Sequence, residues 1–151
     1  ALIGLFNILG TLMSGYLSSI ISKKNVLAGI YSLRSILFLC FILSPMNETS
    51  VLLFASILGI LWLSTVPPTN GIIADIFGPH YTSMLFGITL LSHNIGSFLG
   101  SWLGGRIFDY AGSYDYMWLI CIALGFLSTA FHLPIKGDAL KRYNKAERYL
   151  I

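Results

Sequence analysis

Ser64-Thr-Val-Pro-Pro-Thr-Asn-Gly71 interrupts an apolar span that begins at Ser50 and resumes as Ile72-Ile-Ala74. Proline lacks a backbone donor and its ring collides with the carbonyl one turn earlier, so Pro67 and Pro68 are expected to break or bend a helix here. Inside a bilayer such a break survives only where it is buried in protein or lines a watery cavity. The following span, Ser83 to Gly105, carries Gly96, Gly100 and Gly104 at four-residue spacing. That ladder lets one helix approach another closely.

Working outward, the composition places the whole chain in a membrane. Of 151 residues, 56 % are hydrophobic and 10 % charged, with a mean hydropathy of +0.79. Soluble domains carry roughly 25 % charged residues. The charges are segregated as well: residues 1–22, 49–74, 76–105 and 116–135 contain none. A bilayer needs roughly 20 apolar residues per helix. The expected fold is an all-α membrane protein with five transmembrane helices, at about residues 1–22, 26–44, 50–76, 83–105 and 116–135. Residues 1–135 then form the bundle and 136–151 a basic tail.

The formal charge of +3 matters less than its distribution. Lys23 and Lys24 share one short loop, and Lys136, Lys141, Arg142, Lys145 and Arg148 lie in the tail. Four spans separate loop from tail, so alternation puts all seven on one side. The positive-inside rule makes that side cytoplasmic. Ala1 would then begin on the outer face without an initiator Met or leader, which suggests a fragment lacking its N-terminal part.

Polar residues within the spans are few. Asn7, Thr11, Ser14 and Ser18 recur at helical spacing and share a face. They either line a cavity or bond neighbouring helices. Arg34 lies about 12 Å from Val26 along its helix at 1.5 Å per residue. A charge at that depth normally faces protein or water. No Asp or Glu lies inside a span to meet it, which leaves a backbone carbonyl, an amide such as Asn7 or Asn94, a residue outside the chain, or an anionic substrate. Thr69 and Asn70 can cap backbone groups freed by the break or face a substrate. Asp75 falls at the level of Lys23 and Lys24, where a salt bridge can latch the inner side. His93 shares the glycine face, where it serves as a proton carrier or an interhelical bond. Asn94, Ser97 and Ser101 form a neighbouring polar stripe that suits a cavity wall better.

Enzyme chemistry has no foothold in these residues. The spans hold no paired acids, Cys40 and Cys121 have no His partner, and the three histidines lack ligand spacing. No metal, cofactor or nucleic-acid module is expected. Asn47-Glu-Thr49 fits a glycosylation sequon in an outer loop. Trp102, Tyr110, Tyr114, Tyr116 and Trp118 cluster near the outer boundary as interface anchors.

Three stretches carry a family resemblance. Gly15-Tyr-Leu-Ser-Ser-Ile-Ile-Ser-Lys-Lys-Asn-Val-Leu27 is similar to the loop signature of the major facilitator superfamily in its weaker copy after the eighth span. Gly15, Leu17, Lys23, Lys24 and Leu27 fit it, while Ser19, Ile20 and Ser22 replace its acid, Arg and Gly. Val66-Pro-Pro-Thr-Asn-Gly71 with Ile72-Ile-Ala-Asp-Ile-Phe-Gly78 resembles the tenth span of bacterial monocarboxylate-porter-like (oxalate–formate-antiporter-like) members. His93 through Tyr114, with its glycine rungs and the Phe108-Asp109 pair, resembles their eleventh span and outer loop. The resemblance implies spans eight to twelve, five helices of a C-terminal six-helix bundle, with the seventh span and the N-terminal half of the transporter missing. It implies a secondary transporter in the plasma membrane, as in a bacterial inner membrane, moving a small organic anion such as a monocarboxylate by proton coupling or exchange. The alternative is a five-span assembly or scaffold subunit.

Overall fold

A computed structural model describes residues 1–135 of the chain, and the basic tail lies outside the described residues. Among these residues all regular structure is helical: α1 (Leu2–Ile20), α2 (Lys23–Leu43), α3 (Glu48–Trp62), α4 (Val66–Phe77), α5 (Thr82–Ala111) and α6 (Asp115–His132), with a 3-10 turn at Pro79–Tyr81. Four stretches are long and apolar enough to cross a membrane: α1, α2, α3 with α4, and α6. The 30-residue α5 would reach about 45 Å at 1.5 Å per residue. It has the length of a fifth span, but its Ser, His, Asn and Gly residues dilute its apolar character.

Local chemistry sets the helix ends. Asn47 caps α3, its Oδ1 accepting the Ser50 N–H at 2.8 Å. The sequon asparagine is thus engaged with its own helix. Between α4 and α5 the chain turns at Gly78 with φ 84°, and α5 ends at Gly112 with φ 66°. Both conformations favour glycine because a Cβ would clash.

Two helix pairs carry most of the packing, α2 on α6 and α1 on α3. The α2–α6 seam is lined with small residues. Ser35 is fully buried and donates to the Ile122 carbonyl at 3.2 Å, and Ser32 lies 3.1 Å from Thr129. A Cβ at Gly125 would collide with the Ser35 hydroxyl, so the close approach depends on that glycine. At one end of the seam Phe38, Phe41, Phe54 and Trp118 form an aromatic cluster, with Phe41 and Phe54 stacked at 4.1 Å. Trp118 therefore packs among α2, α3 and α6 and is not solely an interface anchor.

The α1–α3 pair is as close. A Cβ at Gly59 would come within 2.7 Å of the Ile3 carbonyl, and one at Gly10 would overlap the Ile60 carbonyl. By contrast, α5 touches α4 and α6 only sparingly and stands mostly exposed. Among the described residues a Cβ added at Gly96 or Gly100 would have no neighbour within 4 Å, and one at Gly104 would meet only Met117.

Candidate functional site: the helix break

The interruption falls at Leu63–Thr65, one turn before the prolines, and both prolines stand in the first turn of α4. The displacement has a direct cause. A missing N–H and a ring clash are felt by the carbonyl four residues upstream, here those of Leu63 and Ser64. Within the first helical turn a proline costs nothing, since that N–H would lack an intrahelical partner anyway. Pro68 is fully buried, so the pair also packs.

The α3 side of the break is met by side chains from two other helices. The Val66 N–H turns back to the Leu63 carbonyl at 3.0 Å, leaving the Trp62 carbonyl without its usual helical donor. Arg34 Nη2 fills that vacancy, donating to the carbonyls of Trp62 at 3.0 Å and of Leu61. From α1, Asn7 Oδ1 accepts the Leu63 N–H at 3.1 Å. Ser64, only 3 % exposed, turns its hydroxyl onto the Ile60 carbonyl. The Arg34 guanidinium also lies 5.6 Å from the Tyr31 ring centroid, and His132 stacks on Tyr31 at 5.1 Å.

Of the partners open to Arg34 in the sequence, the backbone carbonyls are the ones it meets. The arrangement follows from bilayer energetics. An unsatisfied carbonyl in hydrocarbon costs several kcal/mol, and a lone arginine at mid-span about 2.5–3.5 kcal/mol on insertion scales. Together each relieves the other. A groove of about 320 Å³ opens beside the junction, lined mainly by apolar groups with Gly10, Ser14 and Ser64 at its edge.

The remaining sequence candidates are distributed unevenly. Thr11, Ser14 and Ser18 bond carbonyls of their own helix, at 2.9, 3.1 and 2.6 Å. Thr69 likewise donates to the Thr65 carbonyl at 2.7 Å, while Asn70 is exposed and its side chain makes no hydrogen bond among the described residues. Lys23 Nζ meets Asp75 Oδ2 at 2.7 Å, its stem crossing Gly71. Lys24 Nζ donates to the Leu133 carbonyl at 3.0 Å, where a cation suits the end of α6. His93, Asn94, Ser97 and Ser101 are exposed on α5, away from the junction, and Ser97 only bonds the His93 carbonyl.

Residues missed in the sequence are Tyr31 and the isolated glycines Gly10, Gly59 and Gly125. Nothing periodic marks them. Among the described residues no group of three His, Cys, Asp or Glu side chains could hold a metal, and both cysteines are free.

A multi-pass helical membrane protein with one span broken and polar-capped at mid-depth is the class these observations define. The Major Facilitator Superfamily profile matches residues 1–148, and the chain belongs to that superfamily. It is 27 % identical over 138 residues to a Bacillus subtilis (strain 168) protein named "Uncharacterized MFS-type transporter YcxA". The match covers 88 % of this chain and 34 % of that protein, so the chain spans about a third of its relative. No solved structure matches.

Proposed function

We propose that this chain is part of a secondary transporter, corresponding to spans eight to twelve of the C-terminal half, that moves a small organic anion by alternating access. The observation carrying the reading is the break at Leu63–Thr65, held by Arg34 and Asn7 inside a bundle of the superfamily. A discontinuous helix with satisfied ends is a low-cost hinge, and such transporters rock two bundles about a midplane site. Thr69 and Asn70 just past the hinge, with Asn7, Thr11 and Ser14 on α1, are the proposed edge of the solute path. Asn94, Ser97 and Ser101 on α5 would face it from the opposite wall. Helices beyond residues 1–135 would then cover the open glycine ladder of Gly96, Gly100 and Gly104, and His93 beside it is the proposed proton carrier.

The Lys23–Asp75 pair joins the start of α2 to the end of α4 and serves in this reading as an inner latch. Its side chains are 30 % and 42 % exposed, which limits its worth to under about 1 kcal/mol. A weak latch suits a gate that must open. The positive charge at Lys23, Lys24 and the tail supports a cytoplasmic C-terminus in a plasma membrane. Superfamily membership weighs against a passive scaffold.

Substrate class rests on the likeness of residues 66–78 and 93–114 to monocarboxylate-porter-like transporters. The test is uptake by the full-length protein in vesicles, across a panel of small carboxylates, with and without a pH gradient or internal counter-substrate. Saturable uptake of a carboxylate above protein-free vesicles is expected, driven by one of those two gradients. Absence of uptake for the whole panel would remove the anion assignment.

A further inference from the structure

We infer that Arg34 is the resident cation of the broken helix, occupying the position that a small metal cation or exchangeable ion would otherwise take at the end of α3. The inference rests on the transporter reading above and concerns how its hinge is kept in shape. Helix ends concentrate negative partial charge on the last carbonyls. When a span is interrupted at mid-membrane, those carbonyls need either a bound ion or a protein donor, and unwound carbonyls of broken transporter helices coordinate cations for this reason. Here the carbonyls of Leu61 and Trp62 both receive Arg34 Nη2. The guanidinium is fixed from behind by the Tyr31 ring at 5.6 Å.

Three further features show that the place is built for this side chain. Val66 directs its N–H to Leu63 and so leaves Trp62 for Arg34. Asn7 secures the next backbone group with an acceptor, which a cation could not do. Gly10 leaves room for the Ile60–Ser64 turn to lie directly on α1, so the carbonyls are held in a set direction. Among the described residues Arg34 Nε is buried without a partner, the cost of aiming the fork at the carbonyls. Arg34 is therefore a positioning residue: it shapes the hinge that carries Thr69 and Asn70. The junction should keep its form in any salt, with no coupling ion bound there.

The test is thermal unfolding of the purified full-length protein in detergent, comparing wild type with Arg34→Ala. Each is measured in about 10 mM guanidinium chloride and in about 10 mM tetramethylammonium chloride, a cation without donors. R34A is expected to unfold about 5 °C or more below wild type. Guanidinium should restore part of that loss in R34A alone, and tetramethylammonium should restore none. Unchanged stability in R34A, or a loss that guanidinium does not relieve, would overturn the assignment. If R34A cannot be purified, Arg34→Lys and Arg34→Gln decide between charge and mere hydrogen bonding. Lys should unfold at the higher temperature, and Gln equalling or exceeding it contradicts the inference. No substrate enters these measurements, so their outcome is separate from that of the uptake assay.

Discussion

Gly10 lies where α1 crosses the last turn of α3, and a Cβ there would overlap the Ile60 carbonyl. Gly10→Ala must therefore push α1 away from the break. Overpacking of this kind costs roughly 1–3 kcal/mol. The expected outcome is a lowered unfolding temperature in detergent for G10A, against little change for Gly4→Ala, whose position is open. Equal stability of the two variants would show that the α1–α3 approach is looser than described. Gly10, Gly59 and Gly125 were not legible as contact points in the sequence, because an isolated glycine has no period. Gly96, Gly100 and Gly104 were conspicuous for the opposite reason, yet their period marks a face without naming what covers it. Arg34 was visible as a charge within a span, but a backbone carbonyl leaves no signature in a sequence. Lys23 and Asp75 were legible as a pair, since opposite charges bounding neighbouring spans meet where the topology brings their ends together. Asp75→Asn is expected to cost under about 1 kcal/mol in stability. Its larger effect should be on the inward–outward balance, read by the accessibility of a cysteine placed at Asn25. A balance identical to wild type would deny the pair any gating part.

At the scale of elements, α3 and α4 behave as two half-helices joined by three residues. The Pro-Pro step announced the interruption, and its displacement by one turn follows from which carbonyl a proline robs. Replacing Pro67 and Pro68 by Ala restores two donors, so the Leu63 and Ser64 carbonyls can rejoin a continuous helix. That continuity should pull Trp62 and Leu61 from Arg34 and stiffen the hinge. Because Arg34 is then left without its carbonyl partners, the expected result is a protein of lower thermal stability whose substrate uptake falls several-fold. Unimpaired uptake would separate the break from the working cycle. The α5 element poses the reverse question, since Gly96 and Gly100 face open space among the described residues. Gly100→Leu in the full-length protein is expected to destabilise if further helices of the transporter close on that ladder. A neutral effect would leave the ladder facing lipid.

Across the described residues, a polar end, an aromatic end and an apolar middle organise the bundle. Lys23 with Asp75 and Lys24 with Leu133 tie three helix ends together on one side. Phe38, Phe41, Phe54 and Trp118 gather the opposite ends of α2, α3 and α6. Between them a membrane-spanning stretch of the described chain is broken at Leu63–Thr65, and the transport reading requires water to reach its flank. Substituted-cysteine accessibility addresses this most directly. In a full-length protein with Cys40 and Cys121 replaced by Ser, single cysteines at Thr11, Thr69 and Asn70 would be exposed to a membrane-impermeant thiol reagent. These positions should react, more slowly when substrate is present, while cysteines at Leu52 and Leu124 on exposed apolar faces should not. Silence at Thr11, Thr69 and Asn70 from both sides of the membrane would contradict a solute path along the broken helix.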